Sequence, residues 1–292
     1  MEINGPTALA VLPDGSFVVA DLVGNRLWRY DSTGQLIKSI DLYTMGIVSV
    51  VVARANSAEL FLMGISPDIR STWQRVYRLS FEGELKASYT IPERFQIDNA
   101  LTGIPGLTGI AIDCDGEILL EVAGGSDLYR LVNAQGNLLD PTSESSGYDC
   151  NGKQYRVINP GPGKTPNFMA GSIRLETQLT FGFGGFRLLG VLADGSFYLI
   201  REDVVTDQVI KVDQTVHYIG ADGAQQGVAR VPIAENYYPI MRNLAVGPDG
   251  NVYGLLPRPD SVKIIRLNFY SSLEPLIPGA VAPLVTVATT NP

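Results

Sequence analysis

Histidine is nearly absent from this chain, with His217 alone among 292 residues. One imidazole supplies neither a histidine dyad nor a multi-histidine zinc centre, which removes those reaction classes. Cysteine is almost as scarce. Cys114 and Cys150 fit either one disulfide or two independent thiols, and with a single distant histidine they make no zinc ligand set. Charged residues form only 18% of the chain, and 30 Asp and Glu against 22 Lys and Arg give a net charge of −8. A phosphate backbone is repelled by such a surface, so nucleic acid is not expected as a partner. No apolar run reaches the ~18 to 20 residues that cross a bilayer, so direct membrane insertion is not expected either. A Gly-x-Ser-x-Gly elbow is missing, and with it the support for a serine hydrolase. Gly182-Phe183-Gly184-Gly185 lacks the Lys-Ser/Thr of a phosphate loop and precedes a strand pattern, which makes it a turn. Helical periodicity is absent throughout.

What remains is a chain that is 45% hydrophobic and organised in repeats. Leu9-Ala10-Val11-Leu12-Pro13-Asp14-Gly15-Ser16-Phe17-Val18-Val19-Ala20 reads as two apolar strands joined at Asp-Gly, where glycine supplies the positive φ of a tight reversal. The unit returns around Asp115-Gly116, Asp194-Gly195 and Asp249-Gly250, and in weaker form around Asn56-Ser57. A second hairpin follows four of these five units: Leu27-Trp28-Arg29-Tyr30-Asp31-Ser32-Thr33-Gly34, then copies through Tyr77, Tyr129 and His217. Two hairpins in series make four antiparallel strands, and a period of ~40 to 55 residues marks propeller blades. His217 occupies the slot of Trp28, Tyr77 and Tyr129, so it is expected to pack.

The fold expected is therefore an all-β propeller of four-stranded antiparallel blades, six in number, with five as the alternative. The two counts differ over the long interval between Gly116 and Gly195. Gly152 to Ile158 and Gly171 to Leu175 read either as a degenerate blade or as an insertion of about 30 residues, the latter because Tyr148-Asp149-Cys150-Asn151-Gly152 looks like an outer reversal. Residues 1–280 are expected to form one domain. Residues 281–292 are expected to give the closing strand and the start of an Ala/Thr/Pro-rich linker.

Residues 5 to 37 resemble an NHL repeat: strand, Asp14-Gly15, strand, Ala20-Asp21, Asn25-Arg26, aromatic Trp28 and Asp31-x-x-Gly34 occur in that family's order. Later blades keep the turns and lose the Asn-Arg step. The resemblance implies the architecture and carries no catalytic motif. The fold it implies hosts scaffolds, receptor domains and lactonases alike, so a site must decide the function.

Two site readings follow. In the first, an extracellular, non-catalytic recognition or scaffold module binds a glycan, peptide or protein partner at one channel mouth. Loop aromatics including Tyr237 and Tyr238 stand beside Arg187, Arg242, Asn99 and Asn243, which suit ring stacking and bidentate carboxylate binding. No cofactor is expected there. In the second, an axial Ca²⁺ held by Glu121, Glu202 and Asp203 serves a lactonase or related hydrolase, although only Glu2 or Asn4 is available for the carboxylate such a site needs at the first strand. The chain is expected to be a monomeric domain of a larger surface protein, secreted or cell-surface. Met1 is read as an added start that replaced an export leader.

Overall fold

The computed structural model describes residues 5–65, 74–95, 107–122, 127–140, 147–158, 167–177, 183–206, 210–232, 242–258, 261–274, 276 and 285–287. Six small antiparallel sheets form a six-bladed β-propeller. Blade 1 contains β1 (Pro6–Val11), β2 (Phe17–Asp21), β3 (Arg26–Tyr30) and β4 (Leu36–Asp41). Blade 2 contains β5 (Val48–Ala55), β6 (Leu60–Ile65), β7 (Gln74–Leu79) and β8 (Leu85–Thr90). Blade 3 contains β9 (Leu107–Ile112), β10 (Ile118–Val122) and β11 (Asp127–Val132). Blade 4 is built from β12 (Tyr148–Cys150), β13 (Lys153–Ile158), β14 (Asn167–Ala170) and β15 (Ile173–Glu176). Blade 5 follows with β16 (Phe183–Val191), β17 (Phe197–Thr206), β18 (Ile210–Ile219) and β19 (Gln225–Arg230). Blade 6 holds β20 (Leu244–Val246), β21 (Val252–Pro257) and β22 (Val262–Arg266). Innermost strands meet between blades 1 and 2 (β1, β5), 2 and 3 (β5, β9), 5 and 6 (β16, β20) and 6 and 1 (β20, β1), while β11 meets β13 and β13 meets β16 around blade 4.

The reversals explain the repeats. In blade 1 the Gly15 N–H donates to Leu12 O and the Leu12 N–H to Ser16 O, with Gly15 at φ 79°. Three residues thus form the loop, a turn ending in a left-handed glycine that continues the strand twist. Blades 3, 5 and 6 repeat this at Gly116, Gly195 and Gly250, and the outer reversals do so at Gly34, Gly83, Gly136 and Gly223. Blade 4 differs. Its first reversal is the two-residue Asn151-Gly152 loop, both residues at positive φ, between Cys150 and Lys153. The segment Tyr148–Gly152 is therefore an inner hairpin, and the long interval is a sixth blade rather than an insertion.

Apolar packing fills five of the six seams. Leu12, Val18 and Leu27 meet Leu60 and Leu62 between blades 1 and 2; Phe61 and Val76 meet Ile110 and Leu120 between blades 2 and 3. Tyr155 and Phe168 meet Phe197, Ile200 and Val216 meet Val252, and Val19 and Trp28 meet Leu255 at the remaining three. Burying both faces of every sheet in this way explains the near-continuous apolar inner strands. Between blades 3 and 4 the described residues offer polar contacts instead. The Cys114–Cys150 disulfide joins the two first reversals there, the Cys114 N–H donates to Asp149 O, and Arg130 pairs with Asp149 at 2.9 Å.

The ends of the chain correct one expectation. β23 (Val285–Val287) lies antiparallel to β15 as a fifth, outer strand of blade 4, so the C-terminal segment does not close the ring. After β22, Tyr270 exchanges two backbone hydrogen bonds with Val228 of blade 5. Closure is made at the inner strands. Arg242, just before β20, bridges Ala8 in parallel fashion, its carbonyl accepting from Leu9 N–H and its N–H donating to Thr7 O.

Candidate functional site

The inner strands surround a cavity of about 420 Å³. The first reversals Leu12-Pro13, Asn56-Ser57, Leu192-Ala193 and Gly247-Pro248 rim one end. Glu121, which pairs in register with Gly109 near the start of β9, lies toward the other. Aliphatic side chains from β1, β16 and β20 form most of the wall, and three polar residues interrupt it: Arg54 from β5, Tyr148 from β12 and Arg187 from β16. Each sits on an innermost strand, which is why it faces the axis.

The electrostatics of this cavity are cationic. Burial first, and then the Arg187 charge, press the Arg54 guanidinium down to about 9, which leaves it protonated at neutral pH. Arg187 is lowered by burial as well, and its nearest carboxylate, Glu202, stands 4.0 Å away. The Tyr148 hydroxyl is raised by burial, so it is a neutral donor. The one acid of the lining, Glu121, is already neutralised by an ion pair with Arg242, both side chains being under 5% exposed. Two guanidiniums and a phenol therefore face a small chamber of mixed polar and apolar lining inside a protein whose net charge is −8. Bidentate N–H donors in a low-dielectric pocket favour a planar oxyanion such as a carboxylate.

The residues read from sequence are divided by the structure. Arg187 reaches the cavity. Arg242 does not offer a free fork, because its Nη2 pairs with Glu121 and donates to Thr108 O at 3.2 Å. The Asn243 amide donates to Gln214 Oε1 at 3.0 Å. Asn99, Tyr237 and Tyr238 lie outside the described residues. Phe186, one of the aromatics preceding the fifth blade, is buried among Tyr155 and Phe197 in a seam.

The calcium set is dispersed. Glu202 and Asp203 are successive residues of β17 and so project from opposite faces. Asp203 takes a two-point ion pair from Arg201 at 2.7 and 2.9 Å, and Arg201 also contacts Thr177 of blade 4. Glu202 accepts from Gln214 at 2.9 Å, while Glu121 belongs to Arg242. Three separate arginines thus stand beside these carboxylates.

His217 is packed as its slot requires. It is 1% exposed on β18, its Nδ1 donates to Gln225 Oε1 at 3.0 Å, and its Nε2 accepts from Thr215 at 3.2 Å. Desolvation lowers the imidazole to about 4.

Sequence reading missed Arg54 and Tyr148. The available signal was Arg54 itself, a lone charge closing the run Val50-Val51-Val52-Ala53 on a strand next to the axis.

Comparison with known proteins agrees with this architecture. No protein-family model matches the chain, and no curated protein does so by sequence. Among solved structures, a glucose dehydrogenase is similar over 91% of this chain and 97% of its own, with 14% identity and a TM-score of 0.50. A streptogramin B lyase covers 92% and 95% at 15% identity and TM-score 0.45, and the virginiamycin B lyase of Staphylococcus aureus 90% and 85% at 13% and 0.43. Likeness at these identities is a likeness of fold.

Proposed function

We propose that this propeller is an extracellular, non-catalytic recognition module, built on NHL-like blades, that takes an anionic group of a glycan or peptide into its axial cavity. One observation carries the reading: Arg54 and Arg187 share the axial chamber with the Tyr148 hydroxyl, while the lining carboxylate Glu121 is paired with Arg242. A uronate-type sugar or a free peptide C-terminus supplies the planar oxyanion, and the aliphatic wall accepts the body of the ligand. The outside of the cell is favoured by the Cys114–Cys150 disulfide, since oxidised pairs persist there. His217, the one imidazole, is committed to a seam, which removes the usual general base from the cavity. The protein acts as a monomeric domain of a larger surface protein in this reading.

Glycan and peptide arrays in which every acidic ligand has a neutral twin test it, with calorimetry on the hits. Acidic sugars or free C-termini are expected to bind, amidated or reduced twins to fail, and Arg187→Met to weaken binding at least 10-fold. Equal retention of charged and neutral twins overturns the reading. Turnover of a lactone or sugar by the wild type, lost in Arg187→Met, replaces it with the enzyme reading.

A further inference from the structure

The seam between blades 3 and 4 brings together three carboxylates from two blades. Asp113 ends the first strand of blade 3, Glu117 follows the reversal after it, and Asp149 lies on β12 of blade 4. One carboxylate oxygen from each lies within 4.8 Å of those from the other two. The disulfide between the neighbouring Cys114 and Cys150 fixes the two loops at a Cα separation of 4.8 Å, so the cluster is held covalently.

The charges in this cluster are not balanced. Arg130 contacts Glu117 and pairs with Asp149 at 2.9 Å, from a position about one third exposed. Asp113 lies on the inner side, 3% exposed. Its Oδ1 accepts from the Asp115 N–H at 3.2 Å and the Glu117 N–H at 2.8 Å, which is the ordinary capping of the reversal. Its Oδ2 is buried and has no hydrogen-bond partner among the described residues. A buried carboxylate oxygen without a donor costs free energy that a bound cation removes.

We propose that Asp113, Glu117 and Asp149 form a divalent-cation site of calcium type, which ties blade 3 to blade 4 beside the disulfide. The ligand chemistry is hard oxygen throughout. Oxygens that lie within 4.8 Å of one another can all reach one calcium ion at about 2.4 Å, and calcium accepts an irregular carboxylate set more readily than magnesium, which demands a near-octahedral shell. Asp113 Oδ2 supplies the interior ligand, Glu117 and Asp149 the outer ones, and water the rest. Arg130 swings outward when the ion enters, because its two partners turn to the metal. A site with three carboxylates and a competing guanidinium belongs in the ~10⁻⁴ M range of extracellular calcium modules. This site lies next to the anion-binding cavity, close enough for the Asp113 charge to act on the Tyr148 phenol.

Thermal unfolding of the intact oxidised protein in EDTA, in 10 mM CaCl2 and in 10 mM MgCl2 tests the site. The wild-type midpoint is expected to rise by roughly 5 °C in calcium and by less in magnesium. Asp113→Asn keeps the capping oxygen and removes the uncompensated charge. It is expected to melt in EDTA no lower than wild type and to lose the calcium response, and Glu117→Gln is expected to lose it as well. Terbium titration read by tyrosine-sensitised luminescence gives a second measure that does not depend on unfolding. A wild type indifferent to calcium overturns the assignment, as does a response that both variants retain. A response lost in Glu202→Gln and kept in Asp113→Asn moves the ion to the axis.

Discussion

Arg242 of blade 6 meets Glu121 of blade 3 across the propeller axis, and its Nη2 also donates to the Thr108 carbonyl of the same distant blade. The backbone of Arg242 meanwhile bridges β1, so one residue joins three blades. Removing one partner leaves the other charge buried at 3 to 4% exposure. Arg242→Met is expected to cost about 3–5 kcal/mol in urea unfolding. The double variant Arg242→Met with Glu121→Leu is expected to lose less than the two single losses added together. Additive losses show that the pair is not coupled.

Gly109 is required by the same pair. A Cβ there meets Glu121 Oε2 at 2.7 Å and lies nearer still to Arg242 Nη2. Gly109→Ala is expected to displace the guanidinium and lower stability by roughly 1–3 kcal/mol. In the Arg242→Met background the same substitution is expected to cost less, and denaturation of all four forms reads the difference.

His217 gives a signed dependence on pH. Its folded-state value, about 4, lies below the 6.5 of an ordinary imidazole. Above pH 6.5 both folded and unfolded chains hold a neutral imidazole and the full stability is present. As pH falls toward 4 the unfolded chain takes up the proton first, and stability declines by about 3 kcal/mol across that window. Denaturation midpoints for wild type and His217→Gln between pH 7 and 4 are expected to converge by that amount. Parallel curves place the acid sensitivity elsewhere.

The disulfide closes a loop with a sequence separation of 36 at the seam that has polar contacts in place of an apolar cluster. On loop entropy alone, Cys114→Ser with Cys150→Ser is expected to cost on the order of 4 kcal/mol. Reduction of the wild type with dithiothreitol is expected to lower the thermal midpoint similarly. A midpoint unmoved by both treatments means that the blade seam is self-sufficient.

Blades 1, 3, 5 and 6 were legible because their reversals share one physical solution, a three-residue loop ending in a left-handed glycine, and Asp-Gly announces it. Blade 4 was ambiguous because it reverses through Asn151-Gly152 and Gly171-Ser172, two-residue loops that lack that signature. Arg187 lines the cavity, whereas Arg242 has the same chemistry and an internal carboxylate to satisfy it. That difference depends on Glu121 reaching it from the opposite blade, which local spacing does not encode. Cys114 lies in the first reversal of blade 3 and Cys150 at the edge of the first reversal of blade 4, and only the ring order makes those reversals neighbours. The path of β23 to blade 4 was equally hidden, since a short Val-Thr-Val run suits any unpaired edge.

Because β23 caps blade 4, no strand is shared among the described residues where the circle begins and ends. Blade 6 clasps blade 1 through a few backbone bonds and one greasy contact patch, while the covalent staple sits on the opposite side of the ring at the junction of blades 3 and 4. Under heat or pulling force the toroid has a built-in parting line at that clasp. When it parts, the arginine spanning the hole is dragged away from its glutamate, so the bottom drops out of the chamber in the same motion that unlatches the ring.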